Sequence, residues 1–327
     1  MRRSTSSKIL KKISTSLVII SLITSCNRVS NEKLEPQICY NVQDTYVKNL
    51  SSPFPSLSRE ELATNWGREY EIGTAFAKEL DLYRAITAFR RSAILLGTKN
   101  MQRLQEAEYN IILSYYLGRR YEEVLETFTC SHLRSVNQGF PAYHDLLVIL
   151  YEANVAMEEE MAAETMLNHI KKFYPETGSN LELSTALKHA DFPTLEKLEE
   201  ANPKVAERVI YPVMDCYESQ MKSITKAETL NALIPGAGYL YVGQKGTALT
   251  AFLLNGLFIG AATYFFLDGN IAAGLITTSF EAGWYFGGIY GAGEAAKLYN
   301  ERKYENCAYP YMAKEKLFPI LTLRYAF

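Results

Sequence analysis

The amino-acid sequence predicts an all-α protein, a helical solenoid followed by a transmembrane helical hairpin, and three observations predict it. Small and large apolar residues recur 39 residues apart between Trp66 and Pro175. Two apolar stretches, each of about 21 residues and so long enough to cross a bilayer, flank the turn Asp268-Gly269-Asn270. Outside the last seven residues, no long segment alternates apolar and polar side chains with the period that a strand needs. With 48% hydrophobic and 12% aromatic residues among 327, the chain has ample material for a core, which excludes disorder as its overall state.

The elements follow in chain order. Arg2, Arg3, Lys8, Lys11 and Lys12 make a cationic start, and Ile13 to Ile23 is an apolar run too short to span a membrane. Small residues and a cysteine then close the stretch Leu22-Ile23-Thr24-Ser25-Cys26, which is the order of a secretory signal. Ile23-Thr24-Ser25-Cys26 resembles the lipobox of bacterial lipoproteins. That resemblance implies removal of a signal peptide, residues 1–25, and acylation of Cys26, with palmitate the expected label; an uncleaved signal anchor is the alternative. Either way the body of the protein is expected outside the cytoplasm, in the cell envelope, at the inner rather than the outer membrane.

The chain carries 34 Lys and Arg against 36 Asp and Glu, and loss of the signal's cations leaves it acidic. This argues against nucleic acid as a partner, because phosphate binding needs clustered Lys and Arg. Cys39, Cys130, Cys216 and Cys307 remain, so an oxidising compartment allows up to two disulfides in three pairings. No C-x-x-C or H-x-x-x-H pair occurs, so structural cysteines are expected rather than metal ligands.

Residues 26–57 are polar and broken by Pro36, Pro53 and Pro55, which reads as a flexible tether. Order is expected to begin at Ser58-Arg59-Glu60-Glu61, a capping-box pattern in which hydroxyl and carboxylate satisfy the free N–H groups of a helix start. Within 58–179, Gly73, Phe76, Ala85, Phe89 and Ser92 form one unit, Tyr115, Val124, Phe128 and Ser131 a second, and Ala163, Leu167, Ile170 and Pro175 a third. These positions resemble tetratricopeptide repeats, in which two helices approach where side chains are small and aromatics fill the crossing. The 39-residue spacing exceeds the usual unit by about five residues, which loops around Gly97 and Gly139 accommodate. Residues 180–227 stay helical but lose the period, as a cap and connector would.

Residues 228–300 read as a membrane hairpin module with spans Thr247–Leu267 and Ile271–Ala292. Gly256 and Gly260 on the first and Gly283, Gly287 and Gly291 on the second would let helices approach closely. Asn255 and Glu281 lie equally far from Asp268 and form a membrane polar pair, expected to hydrogen-bond because either alone in hydrocarbon is costly. Pro235-Gly236-Ala237-Gly238-Tyr239-Leu240-Tyr241-Val242-Gly243 fails the spacing of a dinucleotide loop. It resembles the P-G-x-G-x-x-Y-x-G stretch that opens small two-span bacterial membrane modules. A secreted repeat region puts both hairpin ends outside, whereas Lys222, Lys226, Lys245, Lys297, Arg302 and Lys303 at those ends favour the opposite sidedness. In the tail, 301–327, the last residues Leu321 to Phe327 alternate and read as a docking strand.

No catalytic constellation assembles from His132, His144, His169 and His189, so the chain is not expected to be an enzyme and needs no cofactor. The leading expectation is a scaffold that binds a protein or peptide partner in the envelope through its repeats. The tetratricopeptide-like register puts Tyr70, Tyr109, Leu113, Tyr116, Asp145 and Glu152 on the concave face, with tyrosines suited to recognition; packing against neighbouring repeats is the alternative. The alternatives are a transport or oligomerising element centred on Glu281, and a secreted effector with a bilobed hydrophobic hairpin, similar to the inclusion-membrane proteins of some intracellular bacteria.

Overall fold

A computed structural model of the protein describes residues 33–40 and 43–327. The signal and Cys26 therefore lie outside the described residues. The described chain is all-helical and divides into two compact units.

The first unit comprises residues 38–203 and 309–327. It opens with the short helices α1 (Gln43–Val47) and α2 (Arg59–Ala63). The Ser58 capping box forms as its sequence predicts, with Ser58 Oγ accepting from Glu61 N–H at 3.1 Å and Glu61 Oε2 accepting from Ser58 N–H at 2.7 Å. Four helix pairs follow: α3 (Asn65–Lys78) with α4 (Leu82–Leu96), α5 (Met101–Leu117) with α6 (Tyr121–Cys130), α7 (Tyr143–Ala156) with α8 (Glu160–Phe173), and α9 (Pro175–Lys188) with α10 (Phe192–Ala201).

One device closes every pair. Leu80, Arg119, Glu158 and Ala190 all have φ between +49° and +61°, and the next helix starts two residues later each time. The residue after each donates its N–H five residues back: Asp81 to Phe76 O, Arg120 to Tyr115 O, Glu159 to Asn154 O and Asp191 to Ala186 O, at 2.9–3.0 Å. Left-handed residues thus satisfy carbonyls that the first helix leaves unpaired. The 39-residue period of the sequence is the spacing of the first three of these turns, and Ala85, Val124 and Ala163 are all buried where the pairs close.

Two boundaries differ from expectation. Residues expected as cap and connector supply most of the fourth pair, which has the same turn at a spacing of 32 residues rather than 39. The region expected as a flexible tether is packed over its described part: Ile38, Val47 and Phe54 are buried. Their apolar side chains outweigh the polar and proline residues between them. Phe54 meets the Tyr109 ring edge-on at a centroid distance of 5.6 Å.

Close approach in the first pair needs Gly73, because a Cβ there would lie 2.8 Å from the Phe89 ring. Gly73→Ala is accordingly expected to cost about 1–3 kcal/mol by overpacking. A fall in the urea midpoint without change in the slope checks this.

The second unit comprises, among the described residues, 33–37 and 204–308. Its helices are α11 (Tyr211–Glu218), α12 (Ile224–Leu233), α13 (Ala237–Tyr241), α14 (Lys245–Leu267) and α15 (Ile271–Lys314), the last continuing beyond the unit. The glycine stretch is a packing corner between α12 and α14. Gly236 has φ +91°, its N–H donates to Asn231 Oδ1 at 2.8 Å, and a Cβ there would meet Ala248 O at 2.3 Å. Lys222 Nζ donates to Tyr241 O at 2.6 Å. A disulfide joins Cys216 to Cys307; Cys39 and Cys130 are free and exposed.

Among the described residues one helix, α14, is long and apolar enough to cross a membrane. Leu249, Phe252, Leu253 and Leu257 stand exposed on it. The expected second span lies within the 44 residues of α15, where Thr277, Thr278, Glu281 and several glycines keep it less apolar.

Candidate functional site

The site that this unit builds lies along the first helices of its pairs, where the sequence register puts the expected recognition residues. The recognition residues expected there are not free. Tyr109 and Leu113 are 0% exposed, and Tyr70 and Tyr116 are also buried. Tyr70 Oη accepts from Asn110 Nδ2 at 3.1 Å, its ring 5.5 Å from that of Phe89. Tyr109 is enclosed by Phe54 and Phe140. Tyr116 Oη donates to Glu152, whose other oxygen accepts from Lys188 Nζ at 3.1 Å. This polar run crosses from α5 through α7 to α9. Burial pushes the Tyr109 and Tyr116 phenols well above their ordinary value, assisted by Asp145 and, at Tyr116, by Glu152.

Phe54 of the N-terminal segment and Phe140 cover Tyr109, and the end of the chain packs against Phe89 and Asp145 of the same unit. From the end of α15 an extended segment re-enters the unit, and Leu317, Phe318, Ile320, Leu323, Ala326 and Phe327 are buried. Asp145, 0% exposed on α7, accepts the N–H groups of Arg324 and Tyr325 through Oδ2, both at 2.9 Å. Its Oδ1 is held by His144 Nδ1 at 2.7 Å, and His144 Nε2 lies 3.0 Å from Thr177 Oγ1. Tyr46 Oη reaches Leu321 O and Leu323 O at 3.0 and 2.8 Å. Partial burial and then the charge of Asp145 raise the pKa of Tyr46, keeping its hydroxyl a donor. Ser51 O accepts from Ala326 N–H at 3.0 Å, and the Phe327 ring stacks on Phe89 at 6.5 Å.

The tail docks, as its alternation predicts, but in extended form without pairing to a strand. Sequence reasoning put Asp145 on this face without giving it a role, and missed Tyr46 and Ser51. The signal for the latter two was the apolar spacing Ile38, Val47, Phe54 inside an apparently polar stretch.

In the second unit, Asn255 and Glu281 are both buried, at 3% and 8% exposure. They do not hydrogen-bond each other. Asn255 Nδ2 turns back to Ala251 O at 2.6 Å on its own helix, and neither its Oδ1 nor the Glu281 carboxyl has a hydrogen-bond partner among the described residues. Asn255 borders a cavity of about 540 Å³ together with Asn231, Tyr239 and Trp284. Gly256, Gly260, Gly283 and Gly287 face open space rather than a neighbouring backbone, so the glycine stripe does not make the close helix contact expected of it; Gly291 alone lies against a neighbour, Tyr239. Among the described residues no three His, Cys, Asp or Glu side chains gather as metal ligands would.

Compared with family models, with curated proteins and with solved structures, the chain matches none.

Proposed function

We propose that the protein is a membrane-anchored envelope lipoprotein whose tetratricopeptide-like helix pairs form a scaffold for a protein or peptide partner. The observation that carries this reading is that Asp145 on α7, together with Tyr46 on α1, holds an extended polypeptide segment through main-chain hydrogen bonds. A surface that grips one extended segment has the shape and polarity to grip another. The exposed apolar side chains of α14 favour insertion in a bilayer, where they cost nothing and where water would penalise them. The first half of α15 would complete the hairpin. The Cys216–Cys307 disulfide agrees with an oxidising compartment.

Two measurements test the proposal. Palmitate should label the wild type and not Cys26→Ala; equal labelling would end the lipoprotein reading. A photo-reactive residue in place of Arg119, at the groove edge beside Tyr116 and Ile320, should cross-link a discrete partner in intact cells, whereas the same residue in place of Met161, on the outer surface, should not. Identical patterns from the two positions would end the scaffold reading.

A further inference from the structure

We infer that the groove between α7 and the segment Tyr46 to Ser51 is a binding site for extended peptide read through its backbone, and that residues 317–327 occupy it in cis until a partner segment displaces them. This rests on the scaffold reading above and adds to it the class of ligand and the means of control.

The contacts divide cleanly. Five of the polar contacts to the tail go to main-chain atoms: the 324 and 325 N–H groups to Asp145, the 321 and 323 carbonyls to Tyr46, and the 326 N–H to Ser51 O. Main-chain contacts are blind to side-chain identity, so any extended segment can make them. Selection falls to the buried side chains: an apolar residue at the place of Leu323, a small one at Ala326 and an aromatic at Phe327 against Phe89. Arg324, between them, is exposed, with its guanidinium over the Tyr174 ring at 5.4 Å. The division is that of peptide-recognition grooves, where main-chain hydrogen bonds give affinity and alternate side chains give specificity.

From Leu323 onward the tail makes no backbone hydrogen bond to itself. It forms no strand or helix of its own from Leu323 onward. What holds its last residues is therefore the groove, and a segment of the same pattern from another protein would be held in the same way. The occupant to which this chemistry points is an extended stretch of a partner protein with apolar, small and aromatic residues in that spacing.

The test uses the full chain in detergent, with a protease recognition sequence introduced after Lys314, where α15 ends and the chain is exposed. After cleavage, a fluorescein-labelled synthetic peptide of residues 317–327 should exchange into the groove, read as a saturable rise in anisotropy. Uncleaved protein should bind it at least about tenfold more weakly, because the tethered tail competes at high effective concentration. The peptide N-methylated at the 324 and 325 amides should bind at least about tenfold more weakly to cleaved protein, having lost both donors to a buried carboxylate. Several outcomes overturn the inference: failure of the peptide to enter a cleaved protein that keeps its helical circular dichroism, loss of the fold on cleavage, equal binding before and after cleavage, or indifference to N-methylation. Light scattering that shows uncleaved protein associating through exchanged tails would make the occupant a second copy and overturn the partner. Exchange as expected, together with identical cross-linking from Arg119 and Met161, would leave the groove chemistry standing and remove the scaffold reading alone.

Discussion

Arg103→Met is expected to lower the stability of the repeat unit by about 3–5 kcal/mol, the cost of removing one partner from a buried ion pair. Arg103 is buried at the start of α5 and spends all its donors. Nε and Nη2 fork onto Glu61 at 2.8 and 3.0 Å, Nη1 reaches Glu106 Oε2 at 2.6 Å and Pro55 O at 2.8 Å, and Nη2 also approaches Ser56 O at 3.3 Å. Glu106 is only 1% exposed, so without Arg103 its carboxylate stands uncompensated. Urea unfolding measures the loss. Adding Glu106→Leu should recover a large part of it, since both charges then leave together; no recovery would mean that the Pro55 and Ser56 contacts carry the effect. A pH signature goes with it. The hydrogen bond from Arg103 is the chief cause that holds the Glu61 carboxyl below its ordinary value. That contribution is present above the ordinary carboxylate pKa and disappears as pH falls through the depressed one. The variant should show a shallower loss of stability across that acidic window.

Cys216→Ala with Cys307→Ala is expected to cost about 4 kcal/mol, because the bridge closes a loop between residues 91 apart and so restricts the unfolded chain. Thermal unfolding of the full chain in detergent, with and without reductant, checks the size. Reductant should destabilise the wild type and leave the double variant unchanged. Maleimide should react at once with Cys39 and Cys130, which are exposed and free, and with the other two only after reduction. Labelling of all of them without reductant would contradict the bridge.

The parts of the fold that were legible in the sequence are those set by local chemistry. The Ser58 capping box needs only its own four residues, and the recurrence of Ala85, Val124 and Ala163 follows from the steric demand of one repeated helix crossing. The fourth pair was hidden because its turn at Ala190 breaks the period, although the turn geometry is unchanged. The tyrosines of the first helices carried two readings, recognition and packing against neighbours, and their burial agrees with packing. Nothing local at Tyr109 says that Phe54 and Phe140 lie over it, since those contacts join residues far apart in the chain. Asn255 and Glu281 are both buried, yet the hydrogen bond expected between them does not form, because a side-chain amide in a helix can find its own carbonyl four residues earlier.

The length of α15 has a further consequence. If its first half lies in hydrocarbon as far as Ala292, Cys307 stands about 22 Å beyond the boundary at a rise of 1.5 Å per residue. The bridge to Cys216 is then made in an aqueous phase on the same face of the bilayer as Lys297, Arg302 and Lys303. Disulfides persist where that phase is oxidising. The oxidation state of one cysteine pair therefore reports the sidedness of the hairpin, the point on which export signal and flanking cations disagree: a bridged pair in freshly lysed, thiol-blocked cells assigns the cationic ends to the outside, and a reduced pair assigns them to the cytoplasm.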